Sequence, residues 1–84
     1  MQAQFTKTLN GHEYEFHQVG YPQFRDQLVY HISFYNEELD KRETFRMKLD
    51  EEGMWKIQAQ VLPDYVHDAE LDLNDAIQDN QNTQ

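Results

Sequence analysis

Residues 5–16 read FTKTLNGHEYEF, and this stretch indicates a β-hairpin. Asn10 and Gly11 both accept a positive φ, as the two central residues of a type I′ hairpin turn require. A turn placed there gives the pairs Leu9 with His12, Lys7 with Tyr14, and Phe5 with Phe16. One face of the hairpin then carries the apolar side chains Phe5, Leu9, Tyr14 and Phe16. The register is strongly specified, because a slip of one residue would exchange the two faces.

Three further strands are predicted from the same alternation of apolar and polar residues. The third strand is indicated by Phe24, Leu28, Tyr30, Ile32 and Phe34. The fourth is indicated by Phe45, Met47 and Leu49, and the fifth by Trp55, Ile57, Ala59 and Val61. The connection over residues 19–23 contains Gly and Pro and is not a short turn, so the register between the second and third strands stays open.

Two more turns test whether the apolar faces agree. Pairing Ile32 with Phe45 leaves residues 37–40 as a four-residue loop, which is a common hairpin length. Pairing Leu49 with Trp55 leaves a three-residue loop, residues 51–53. Such loops place a left-handed residue last, and glycine occupies that position. All three hairpins therefore agree on one apolar face.

A helix is predicted after the fifth strand. Pro63 suits the first turn of a helix, and Asp64 lies near the positive end of the helix dipole. An apolar stripe with helical spacing then runs to about Gln78. Its members are Tyr65, Val66, Ala69, Leu73, Ala76 and Ile77. The polar residues 80–84 are expected to fray.

The predicted architecture is an α+β fold, in which a curled five-stranded antiparallel β-meander packs one C-terminal α-helix on its apolar face. Residues 1–79 form a single small domain. Five strands span roughly 24 Å, whereas a helix is only about 10 Å across. Either the sheet curls around the helix or a second chain covers the remainder. Strand twist favours curling, and monomer and homodimer both remain open.

Composition narrows the classes of partner. The chain has 84 residues, no cysteine and a net charge of −9. The net negative charge disfavours binding to nucleic acid or to anionic membranes, because both need a basic surface on the protein. A basic protein partner fits this charge better. No stretch approaches the roughly 20 apolar residues of a membrane span, and the N-terminus lacks the regions of a secretory signal. A cytoplasmic location is therefore expected.

Acidic residues dominate the predicted helix, because residues 63–84 contain six Asp or Glu and no Lys or Arg. Five of them fall within a stripe about 80° wide at 100° per residue. They are Asp64, Asp68, Asp72, Asp75 and Asp79. Leu71 is predicted to project away from the core, near His67, Asn74 and Gln78. We expect the stripe and Leu71 to form a partner-binding surface for a basic protein.

Two other interpretations of this stripe stay open. Its carboxylates recur about every 6 Å along the helix, similar to the phosphates of a nucleic-acid strand. The stripe could therefore mimic nucleic acid toward a basic partner. The alternative is a solvated helix face whose charge only keeps a small protein soluble.

A second candidate surface lies on the open face of the fourth and fifth strands, where Arg46, Lys48 and Lys56 are expected to cluster. The derived register places Lys48 opposite Lys56, which is unfavourable unless an anion lies nearby. An alternative function is therefore binding of an anion or small ligand. A homodimeric structural or accessory protein is the third possibility.

Catalysis, cofactors and metals are not expected. The chain has no cysteine nucleophile, Ser33 is its single serine, and its three separated glycines form no phosphate-binding loop. His17 and His31 could hold a metal with Glu13 or Glu15 only if the open register brings them together. The sequence thus predicts a small, non-catalytic protein-interaction module.

Overall fold

Five strands and two helical segments make up the chain in a computed structural model that describes residues 2–20, 27–58 and 60–82. The strands are β1 (Gln4–Leu9), β2 (His12–Val19), β3 (Val29–Asn36), β4 (Lys41–Leu49) and β5 (Trp55–Ile57). The helical segments are α1 (Asp64–Asp68) and α2 (Glu70–Asn82). The strands form one antiparallel sheet in the order β1-β2-β3-β4-β5, so the predicted α+β meander is confirmed.

The three predicted hairpin registers are confirmed. Asn10 has φ 52° and Gly11 has φ 82°, both in the left-handed region that a type I′ turn needs. Gly53, at φ 84°, closes the loop between β4 and β5. The pairs Leu9–His12, Lys7–Tyr14, Phe5–Phe16, Ile32–Phe45, Tyr30–Met47, Leu49–Trp55 and Met47–Ile57 are all present.

The register between β2 and β3, which the sequence left open, places Phe16 opposite Ile32 and His17 opposite His31. The first pair joins the apolar faces of the hairpins on either side. The two histidines consequently lie side by side on the open face of the sheet.

Two strand boundaries differ from the prediction. β3 begins at Val29, and Phe24, from which it was predicted to start, lies outside the described residues. β5 ends at Ile57, so the prediction that Val61 completes its apolar face is wrong: Val61 is 96% exposed. The strand ends early because the chain must leave the sheet to begin α1. In the segment between them, the side chain of Gln60 donates a hydrogen bond to the Thr44 carbonyl oxygen at 3.1 Å. Ala59 lies outside the described residues.

The predicted helix is interrupted at Ala69, whose φ of −85° and ψ of 0° end α1. The carbonyl of Ala69 still accepts from the Leu73 amide at 2.8 Å, so α2 continues almost without a gap. α2 extends to Asn82, beyond the predicted end near Gln78.

The helical segments contact both edges of the sheet. At the β5 edge, the Asn74 side chain accepts from the Trp55 amide. At the β1 edge, the Asn80 side chain exchanges two hydrogen bonds with the Gln2 backbone, of 2.9 and 3.1 Å. A single helix could not reach both edges of a flat five-stranded sheet. The sheet therefore curls around the helix, as predicted, and it does not close.

The buried core lies between the curled sheet and the helix. Its largest side chains are Trp55, Tyr14, Tyr30, Phe16, Phe34, Phe45, Leu28, Ile32 and Met47 from the sheet side, with Leu73, Ile77 and Val66 from the helices. Tyr30 and Trp55 meet edge to face at 5.0 Å between ring centroids. Such aromatic contacts add about 0.5–1.5 kcal/mol beyond area burial.

Candidate partner-binding surface

The outer side of α1 and α2 carries the five predicted aspartates, which we call the acidic face: Asp64, Asp68, Asp72, Asp75 and Asp79. All five are exposed. Within the described ranges, no Lys or Arg pairs with Asp64, Asp68, Asp72 or Asp75. The Asp75 carboxylate accepts one hydrogen bond, from the neighbouring Asn74 side chain at 3.3 Å.

Three polar side chains on the adjacent flank of α2 contact the β5 edge instead of solvent. Glu70 accepts from the Ile57 amide at 2.9 Å, and Asn74 accepts from the Trp55 amide at 2.8 Å. One turn further, Gln78 donates to the Gly53 carbonyl at 3.2 Å. Residues four apart in a helix are separated by about 6 Å along its axis, which is close to the rise of two strand residues. Helix side chains with this spacing can therefore meet alternate residues along the strand direction. We call Glu70, Asn74 and Gln78 the edge ladder.

Leu71 lies beside this ladder and is 60% exposed. The sequence placed it with Asn74 and Gln78 on the outer side of the helix. The prediction that Leu71 projects away from the core is confirmed, but Asn74, which was grouped with it, is only 2% exposed and faces β5. Leu71 therefore stands between the edge ladder and the acidic face.

A cleft of about 240 Å³ opens near the start of α1, between the β3–β4 loop and the segment before the helix. It is lined by Asn36, Glu38, Leu39, Glu43, Val61, Leu62 and Pro63. Leu39 is 57% exposed and Val61 is almost fully exposed. Sequence reasoning missed this cleft because it assigned Val61 to a strand and Leu39 to a simple loop.

Carboxylates make the surroundings of this cleft electronegative. Burial raises the pKa of the nearby Tyr65 phenol, and Glu38, Glu37 and Glu43 raise it further. Tyr65 also stacks on His12, with 4.1 Å between ring centroids, which fixes the start of the helix against the first hairpin. The negative charge of the acidic face therefore continues past Asp64 to the cleft.

The open face of the sheet carries the predicted basic cluster. Lys48 lies directly opposite Lys56, as the derived register requires. Lys56 contacts Glu70 at 3.7 Å, whereas Arg46 and Lys48 have no ion-pair partner in the described part of the chain. Arg46 neighbours His31, and the cluster is therefore a second, smaller charged surface.

The paired histidines do not form a metal centre in the part of the chain that the structure describes. His17 and His31 are cross-strand partners, but no third histidine, cysteine or carboxylate completes a group of three with them among the described residues. Glu15 is instead bound to Arg42 at 2.8 Å. Among the described helices, none is long and apolar enough to cross a membrane.

Comparisons of the chain with protein-family models, with curated proteins and with solved structures give no match.

Proposed function

We propose that this chain is a small, non-catalytic protein-interaction module that presents its acidic face to a basic surface of a partner protein. The observation that carries the proposal is that four exposed carboxylates without a cationic partner among the described residues share one side of the helix. Glu15 and Glu70 are bound by Arg42 and Lys56. Asp64, Asp68, Asp72 and Asp75 are exposed and have no cationic partner within the described ranges.

A cationic partner would relieve repulsion that the free helix carries. Like charges four residues apart, such as Asp64 and Asp68 or Asp68 and Asp72, destabilise a helix by about 0.2–0.5 kcal/mol per pair. Asp79 lies in the last turn of α2, where the dipole disfavours an anion by about 0.3–1 kcal/mol. Charge complementarity of this kind mainly raises the association rate and sets specificity.

The surroundings of Ser33 support a non-catalytic role. Its hydroxyl oxygen lies 3.4 Å from both the Glu15 carboxylate and the Arg42 guanidinium, on the open face of the sheet. Arg42 already occupies this Glu15 carboxylate in an ion pair of 2.8 Å. Nucleophilic catalysis would need an activating base and a site that excludes water.

The proposal is tested by capture on immobilised protein. The variant carries Asp68→Asn, Asp72→Asn and Asp75→Asn, which keep side-chain shape and remove three charges. A matched control carries Glu13→Gln, Glu51→Gln and Glu52→Gln, three exposed acids outside the acidic face. Captured proteins are identified by mass spectrometry at about 0.05 M and about 0.5 M salt.

We expect to find basic proteins that bind to the wild type and the control but not to the helix variant. High salt should release these proteins. Equal capture by the wild type and the helix variant would contradict the proposal. Equal losses from both variants would show that net charge, rather than the acidic face, attracts the captured proteins.

The like-charged pair Lys48–Lys56 favours a second candidate function, binding of an anion on the open face of the sheet. Arg46 and Lys48 lie two residues apart on the same face of β4, so both can reach one ligand. Inorganic phosphate or pyrophosphate should then raise the melting temperature of the wild type. The effect should vanish in Lys48→Gln and persist in Lys7→Gln.

A further inference from the structure

The cleft between the β3–β4 loop and residues 61–63 differs from the rest of the acidic surface because it combines charge with exposed apolar side chains. We call it the Leu39–Val61 cleft. Val61 is 96% exposed and Leu39 is 57% exposed, on opposite walls. Its volume, about 240 Å³, lies below the roughly 300–1,000 Å³ typical of small-molecule pockets. The space suits one side chain rather than a cofactor.

One wall of the cleft is fixed by a buried asparagine. Asn36 is 3% exposed, and its side-chain oxygen accepts from the amides of Glu38 at 3.0 Å and Leu39 at 3.4 Å. Its side-chain nitrogen donates to the Glu43 carboxylate at 3.0 Å. These bonds hold the loop and Glu43 in place before any partner binds. Such preorganisation reduces the conformational entropy lost on binding.

The opposite wall is also anchored. The Gln60 side chain donates to the Thr44 carbonyl, and Leu62 is buried in the core. Val61 lies between these two fixed residues. Its exposure is therefore imposed by its neighbours on both sides and is not a frayed end.

The charges at the cleft determine which residues can flank an apolar side chain that binds in it. Glu38 and Glu43 line the cleft, and none of the lining residues that the structure describes is Lys, Arg or His. Asp64 follows directly after Pro63 and continues the negative charge onto the acidic face. An apolar group flanked by cations would match both the walls and the rim, whereas one flanked by carboxylates would be repelled.

We propose that the Leu39–Val61 cleft binds an extended segment of the partner protein in which an apolar side chain of leucine or methionine size is flanked by Lys or Arg. This inference rests on the proposed function and specifies the partner's chemistry. Interfaces draw most of their affinity from a few side chains that fill well-packed pockets, and charges exposed at the rim contribute less. The cleft would hold the anchor, and the acidic face would attract the basic residues that follow it.

The test uses two capped peptides, Gly-Lys-Leu-Arg-Lys-Gly and the same peptide with glycine in place of leucine. Binding is measured by titration in amide proton–nitrogen NMR spectra. The cleft variants are Val61→Ser and Leu39→Ser. Val19→Ser is the matched control, because Val19 is also an exposed apolar residue and lies outside both the cleft and the acidic face.

For the wild type we expect the leucine peptide to bind about tenfold more tightly than the glycine peptide, since a large apolar group is buried. Val61→Ser and Leu39→Ser should reduce this ratio to about twofold, and Val19→Ser should leave it unchanged. The largest shifts should fall on residues 37–43 and 60–64. Retention of the ratio in both cleft variants, or absence of binding to the wild type, would overturn the inference.

Failure of the cleft and failure of the proposed function give different results. The helix variant with Asp68, Asp72 and Asp75 changed to Asn should weaken both peptides alike and keep the leucine-to-glycine ratio. If the wild type bound both peptides equally and in a salt-sensitive manner, the proposed role of the cleft would be refuted. The proposed role of the acidic face would not be affected. A dimer that Val61→Ser dissociates would mean that the occupant is a second copy of the chain, and this too would overturn the inference.

Discussion

The side-chain oxygen of Asn74 accepts a hydrogen bond from the backbone N–H of Trp55 at 2.8 Å, and through this bond the helix caps the β5 edge of the sheet. β5 has β4 on one side and, among the described residues, no further strand on the other. Unpaired amides along such an edge invite pairing with other chains. Glu70 and Asn74 of the edge ladder accept hydrogen bonds from two of these amides, and Gln78 donates to the Gly53 carbonyl in the preceding loop.

Removal of this bond should destabilise the fold. We expect Asn74→Ala to lower the free energy of unfolding by about 2 kcal/mol, because the buried Trp55 amide loses its acceptor. Gln78→Ala, at the more exposed end of the ladder, should cost only about 0.5 kcal/mol. Urea unfolding followed by tryptophan fluorescence measures both. Equal effects of the two changes would contradict the special role of Asn74.

Gly53 provides a test of backbone conformation alone. Its φ is 84°, and a Cβ added there would meet no atom within 4 Å. Gly53→Ala should therefore cost about 1–2 kcal/mol through left-handed strain, with no steric clash. Thermal unfolding measures the loss. A stability equal to that of the wild type would show that the β4–β5 loop can change its conformation at no cost.

The hairpins could be predicted from sequence because local chemistry sets them. Asn10, Gly11 and Gly53 fix the positions of two turns, and period-two apolar residues then permit only one register. The register between β2 and β3 could not be predicted, because their connection is long. It became fixed only when the apolar faces of neighbouring hairpins joined in one sheet.

The polar residues of the helix were harder to interpret. Glu70, Asn74 and Gln78 look like solvent-facing residues, since helical periodicity separates only apolar from polar side chains. Their partners are backbone groups of β5 and of Gly53 in the loop before it, which become available only after the sheet has curled. The i, i+4, i+8 spacing of these residues was the available signal. The Leu39–Val61 cleft likewise depends on where two distant loops meet.

Alkaline pH should weaken the fold through Tyr14. Burial, followed by the nearby Tyr65, raises the pKa of the Tyr14 phenol from 10.0 to about 12. The folded state therefore holds the proton more tightly than the unfolded state, and this contribution to stability is complete below pH 10. It is lost as the pH rises from 10 toward 12.

We expect the midpoint of urea unfolding to fall over this alkaline range for the wild type. The fall should be smaller in Tyr14→Phe and unchanged in Tyr35→Phe, which removes an exposed phenol. Ultraviolet absorbance of phenolate, recorded in parallel, reports the ionisation directly. An alkaline loss of stability that is identical in all three proteins would contradict the assignment to Tyr14.

The most direct measurement of the central claim is the affinity of a short oligolysine peptide for three proteins at low and high salt. These are the wild type, the helix variant with Asp68, Asp72 and Asp75 changed to Asn, and the control with Glu13, Glu51 and Glu52 changed to Gln. The two variants have the same net charge. We expect the helix variant to bind about fivefold or more weakly at low salt, the control to lose less than about twofold, and the differences to shrink at high salt. Equal weakening of both variants would show that the acidic face is only one part of a uniformly negative surface, and the proposed function would then be wrong.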